Sequence, residues 1–89
     1  MKAIVTVVGQ DRVGIIAQVC TTLAAYQVNV LDISQTVMQG YFTMMMAVEV
    51  AECTVPLAEL CDIMDAEGKK MGLSIKVQRE DIFQAMHRI

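Results

Sequence analysis

The chain has 89 residues, 55% of them hydrophobic, with a formal net charge of −3 and a sequence pI near 4.9. That acidic balance excludes the basic footprint of a nucleic-acid binder, and no apolar run approaches the roughly 18 residues a membrane span needs, the longest being MMMAV at 44–48. A mean hydropathy of +0.48 is high for so short a chain, so the surplus apolar surface points to cover by a second copy, homodimers being the commonest soluble assemblies.

The length fits one domain over 1–89, with a core at 1–80 and an amphipathic extension at 81–89. The start carries one lysine and passes directly into β-like alternation, so it does not read as a signal peptide. Cys20, Cys53 and Cys61 form no Cys-x-x-Cys pair, and an odd count without a secretion signal fits reduced thiols in the cytoplasm. Cys20 and Cys61 fall on apolar helical stripes and read as packing.

Residues 2–9 (KAIVTVVG) read as a first strand, apolar on both faces: Ala3, Val5 and Val7 on one, Ile4 and Val8 on the other. A helix follows over about 13–26, with Ile16, Val19, Cys20, Leu23 and Ala24 on its stripe and Asp11 placed to cap it. Residues 28–38 alternate Leu31, Ile33 and Val37 against Asp32, Ser34 and Thr36, a strand with one wet face. Gln39-Gly40 makes a tight hairpin. A third strand over 41–50 turns Phe42, Met44, Met46, Val48 and Val50 inward, and its other face (Thr43, Met45, Ala47) is also largely apolar. Pro56 opens a second helix in its first turn, with Leu57, Leu60, Cys61, Met64 and Met71 as its stripe, and Gly72 stops it. Leu73, Ile75 and Val77 then alternate with polar residues in a fourth strand.

The order βαββαβ is the α+β, ferredoxin-like plan. Strands one and three, apolar on both faces, belong in the centre, and strands two and four at the edges, giving an antiparallel sheet of order 4-1-3-2 with both helices on one face. The opposite face or the edges are left for a partner. The segment DIFQAMHRI (81–89) spaces Ile82, Phe83, Met86 and Ile89 for a short C-terminal helix.

The loop between the first strand and helix carries the chemistry. Gly9-x4-Gly14 has the glycine spacing of a phosphate-binding loop, but Ile15-Ile16 stand where its lysine and hydroxyl are required. No Cys or His occupies the loop, the single histidine, His87, has no clustered partner, and no metal or cofactor is expected. The first strand lacks the aromatics on which RNA-binding domains of this plan stack bases. An acylphosphatase-like enzyme is one alternative, since Arg12 and Asn29 superficially match its arginine and asparagine. That motif, however, sets its arginine inside the helix start, where this chain has Ile15-Ile16-Ala17, and no catalytic residues are assigned. What remains is binding. Free amides at a helix start suit a carboxylate, Gly14 admits close approach, Asp11 suits an ammonium group, and Asn29 is expected on the same side of the fold. The plainer alternative is that Asp11 caps the helix, Gly14 allows helix–sheet contact and Asn29 makes a turn.

The run GQDRVGIIAQVCTTLAAYQVNVLDISQTV resembles the opening of ACT domains: Asp-x-Pro-Gly-Ile/Leu, an alanine-rich helix, then Asn-Ile/Val leading a strand. The match reaches Asp11, Gly14, Ile15, Ala17, Leu23, Asn29-Val30 and Asp32-Ile33. The run resembles the ACT modules of the glycine cleavage system repressor and formyltetrahydrofolate deformylase kind, and over its whole length the chain is similar to bacterial free-standing single ACT domains. The resemblance implies a regulatory module acting as a homodimer, binding a small molecule, an amino acid foremost, at a subunit interface. Gln10, Asp11, Arg12, Val13, Gly14 and Ile15 with Asn29 and Val30 would form the site, and output would pass through a protein partner. Val13 departs from the family's proline and keeps an N–H. An assembly or adaptor subunit that binds no ligand is the other alternative.

Overall fold

Four runs of alternating or doubly apolar residues become strands in the computed structural model, which describes residues 1–81. β1 spans Lys2–Gln10, α1 Ile15–Ala25, β2 Asn29–Met38, β3 Tyr41–Glu49, α2 Leu57–Met71 and β4 Ser74–Arg79. The sheet is antiparallel, in the order β2-β3-β1-β4. This is the expected 4-1-3-2 order read from its other edge. Ala3, Val5 and Val7 of β1, Met44, Met46 and Val48 of β3, and Ile75 and Val77 of β4 are buried on one face. Ile15, Val19 and Leu23 of α1 and Leu60, Met64 and Met71 of α2 pack on them in a single core. Each large side chain so buried contributes about 1.5–3 kcal/mol. The fold is ferredoxin-like α+β, with both helices on that face. The C-terminal helix expected over 81–89 falls, beyond Asp81, outside the described residues.

Both helices end in the same way. Past α2, Leu73 N–H donates to Gly68 O (2.8 Å) and Gly72 N–H to Lys69 O (3.3 Å), with Gly72 at φ +72°. Past α1, Val28 N–H donates to Leu23 O (3.0 Å) and Gln27 N–H to Ala24 O (3.0 Å), with Gln27 at φ +61°. In each case an apolar residue, Leu73 or Val28, then turns into the core. Glycine takes the left-handed conformation without penalty, and glutamine does not. Gly68 is shaped by a different demand. A Cβ there would lie 2.8 Å from Leu73 O and 3.2 Å from Ile75 N, so its bare backbone lets α2 press onto β4.

The start of α1 corrects an expectation. The residue before the helix is Gly14, left-handed at φ +92°, and no side chain caps it. Asp11 is therefore not the N-cap. Its N–H donates to Gly40 O at 2.9 Å, which ties it to the β2–β3 hairpin. Proline expected within the first turn of α2 instead sits just ahead of it, at Pro56.

β2 also departs from simple alternation. Its register with β3 slips between Val30 and Asp32, leaving Leu31 as a bulge. An oxygen of Asp32 accepts the Ile33 N–H at 2.9 Å beside it. The slip places Ile33, Gln35 and Val37 opposite Met46, Met44 and Phe42, on the helix side of the sheet. The strand is nonetheless exposed from Leu31 to Met38, so it has two wet faces, not one.

Two stability changes follow. Gly68→Val should destabilise the fold by about 1–3 kcal/mol, the cost of overpacking, read as a lower midpoint in thermal and urea unfolding. Gln27→Gly should raise stability by about 0.5–1 kcal/mol, because the left-handed penalty on a side chain exceeds the entropy glycine adds to the unfolded chain. An unchanged or lower melting temperature for Gln27→Gly would refute that account of the α1 terminus.

Candidate functional site

β1 carries its apolar text up to Gln10 and releases the chain into Asp11-Arg12-Val13-Gly14 before α1 begins at Ile15. The left-handed Gly14 turns the backbone so that the helix runs back over the sheet. Its pro-side-chain direction meets open space, so glycine is needed there for its conformation and not for a close contact. Asp11 N–H bonded to Gly40 O ties this loop to the hairpin that ends β2.

Between these pieces lies an open depression of about 340 Å³, lined by Asp11, Arg12, Gly14, Ile15, Ile16 and Ala17 from the loop and helix start. Gln35 and Val37 of β2 and Phe42 of β3 form its other wall. Gln18 N–H bonds Gly14 O at 3.0 Å, the first bond of the helix. The amides of Ile15, Ile16 and Ala17 thus have no acceptor within the helix, and no side chain caps them. The side chains of Asp11 and Arg12 form no ion pair among the described residues. The depression therefore presents amide donors and one charge of each sign over an apolar wall. That combination matches the two ends of a zwitterion.

Four of the anticipated residues, Asp11, Arg12, Gly14 and Ile15, line this depression. Gln10 ends β1 opposite Tyr41, on the side of the sheet away from the helices. Val13 is fully exposed at the loop tip. Asn29 and Val30 are elsewhere, contrary to the expectation that Asn29 shares a side with the loop. Asn29 pairs with Glu49, which pairs with Lys2, whereas Gln10 pairs with Tyr41. Eight strand steps separate the two ends, about 27 Å. The physical reason is direction: α1 carries the chain from one end of the sheet to the other, so β2 starts where β1 starts.

Ile16, Ala17, Gln35, Val37 and Phe42 complete the depression without having been anticipated. Ile16 and Ala17 follow from their position in the first helical turn. Gln35 and Val37 could have been found only by placing the bulge, since it decides which face of β2 they occupy.

Other chemistry is thinly supplied. No group of three or more His, Cys, Asp or Glu residues able to hold a metal occurs among the described residues. Cys61 is held as a thiol: its Sγ–H donates to Val77 O at 3.3 Å, and burial, aided by nearby Asp62, pushes its pKa up. A thiol in that state is a poor nucleophile. Among the described residues no helix is long and apolar enough to cross a membrane.

Comparison with known proteins places this geometry. A family model described as ACT domain matches residues 2–78. A UPF0237 protein of Methanosarcina acetivorans is 55% identical over 88 residues, covering 99% of this chain and 96% of its own. An ACT domain protein from Streptococcus pneumoniae superposes with a TM-score of 0.83 at 42% identity, covering 98% of each chain. A putative glycine cleavage system transcriptional repressor shares the fold with a TM-score of 0.74 at 20% identity, over 88% of this chain and 44% of its own. With the βαββαβ order and the Asp11–Gly14 loop opening α1, these matches show that the chain belongs to the ACT domain family.

Proposed function

We propose that the protein is a regulatory module that binds a small molecule, a free amino acid, in the depression between the loop 10–15 and β2, and that it does so as a homodimer. The observation that carries this reading is the position of the depression: it opens at the free edge of the sheet, with Gln35 and Val37 of β2 as its wall. Asp11 would meet the ammonium group, the amides of Ile15–Ala17 the carboxylate, and Ile16, Val37 and Phe42 the side chain.

The two edges of the sheet differ in a way that supports pairing through β2. β4 is short, with Lys76 and Arg79 to discourage a neighbour. β2 has ten residues with no lysine, arginine or proline, and leaves Ile33, Val37 and Met38 exposed. Beyond the bulge its regular stretch runs from Asp32 to Met38 and is centred on Gln35. Antiparallel pairing about a two-fold axis at Gln35 would set Ile33 beside the partner's Val37. The same axis exchanges the ends of the sheet, bringing the partner's Asn29 and the partner's Val30 to the level of the loop. The two parts of the anticipated site, separated in one chain, thus come together across two. On this reading the protein is not an enzyme, and its output passes through a protein partner.

Calorimetric titration and thermal shift against the free amino acids test the reading. A ligand at 100 times its Kd should stabilise the fold by about 2.7 kcal/mol, a rise on the order of 10 °C. Asp11→Ala should weaken binding by about 1.5–3 kcal/mol while leaving the melting temperature of the free protein nearly unchanged, because its carboxylate caps nothing. Asn29→Ala should weaken binding as well. If no amino acid binds at millimolar concentration, the sensor reading falls, and an adaptor subunit that acts by assembly alone takes its place.

A further inference from the structure

Among the described residues, no element covers the face of the sheet turned away from the helices, and its relief is uneven. Tyr41 of β3 stands 59% exposed, with its cross-strand neighbour Met38 at 68%. Six residues further along β3, and therefore on the same face, Ala47 floors a hollow of about 200 Å³. Ile4 of β1 and Asp32 of β2 flank Ala47 in register, with Ser34 and Met45 at the rim. A protrusion and a recess on one strand match themselves under a two-fold axis that crosses the strands midway, at the level of Met44.

We propose that this face packs against the same face of a second copy, with Tyr41 of each chain filling the other's hollow over Ala47. The chemistry of the hollow suits a phenol. Ile4, Ala47 and Met45 offer an apolar bed for the ring. One oxygen of Asp32 accepts the Ile33 N–H at 2.9 Å, leaving the other to accept the tyrosine hydroxyl, so the apolar body and polar tip are both matched. Under that axis Thr43 lies over the partner's Met45, Val8 over the partner's Thr6 and Lys76 over the partner's Ser74, and no like charges are opposed. The face is four strands wide and about eight residue steps long, roughly 500 Å². Covering it on both copies buries roughly 1,000 Å², the lower bound for a biological interface.

This contact stands apart from the pairing of β2, and the two combine in one way. Gln35, the centre of the edge pairing, is the register partner of Met44. Both two-fold axes therefore pass at the same level and meet. The edge axis is normal to the sheet and the face axis lies parallel to it, and two-fold axes that meet at right angles close into a four-copy assembly, whereas axes that miss generate an open filament. The four-copy closure rests on the edge pairing of the proposed function, and the face contact does not.

Sedimentation velocity of the full chain at micromolar concentration tests both. The expected wild-type species is near four times the 9.8 kDa chain. Tyr41→Ser and Ala47→Lys should each halve the assembly, with circular dichroism unchanged, and Tyr41→Phe, which keeps the ring, should retain it. An assembly that neither Tyr41→Ser nor Ala47→Lys alters overturns the proposal. Gln35→Pro separates the two contacts: it halves the assembly by removing the edge pairing. If Gln35→Pro changes nothing, the edge pairing is wrong, while the face contact is still decided by the Tyr41 and Ala47 variants.

Discussion

The contact between α2 and β4 at Gly68 sets the placement of the helical layer, and much else depends on it. With no side chain between them, the helix backbone rests almost on Leu73 O and Ile75 N. The layer is thereby drawn toward the β4 edge, where Leu73, Ile75 and Val77 are all buried. The cost appears at the opposite edge. Ile33, Gln35 and Val37 face the helix side of the sheet, yet they stay exposed because neither α1 nor α2 reaches over them. One small residue on one flank thus leaves a trough on the other, and the depression beside α1 is the upper part of that trough.

The loop at the head of the trough is held by backbone more than by side chains. Gly14 supplies the left-handed turn, and the bond from Asp11 N–H to Gly40 O fixes the loop to the hairpin. Among the described residues, Asp11 and Arg12 form no ion pair. Charged groups left unspent in this way are ones that the described fold does not need. It also explains why an ordinary packing role does not account for them: the capping duty that Asp11 could have served has no geometry to serve it.

How much of this could be read from the residues depends on how local each cause is. Alternation in KAIVTVV and YFTMMMAVEV, apolar on both faces, was enough to put β1 and β3 in the centre. Gly40 and Gly72 marked their turns because each needs positive φ within its own short segment. The bulge at Leu31 was hidden, since one extra residue leaves the composition of a strand unchanged while moving its register. Gly68 was overlooked inside a strong helical stripe, where a missing side chain reads as a gap and not as a contact. The loop was conspicuous as an interruption, but its second wall was not, because Gln35 and Val37 reach it only through strand order. Asn29 was misplaced through proximity in motif: eighteen residues separate it from Asp11, and nearly the whole length of a helix lies between.

The strand order has a bearing on how the chain acquires its fold. β2 and β3 are joined by the two-residue turn Gln39–Gly40 and pair from Met38 with Tyr41 outward, so their hairpin can close with little loop entropy. β1 is placed differently. It sits between β3 and β4, and its partners lie far along the chain, Lys2 with Glu49 and Ala3 with Arg79. Such pairings close large loops before any contact rewards them. β1, made before both of its partners, is therefore the strand that must wait, with Ile4, Val5, Val7 and Val8 uncovered until the hairpin offers an edge. In a growing chain, that interval is when an apolar β segment most needs either speed or a chaperone.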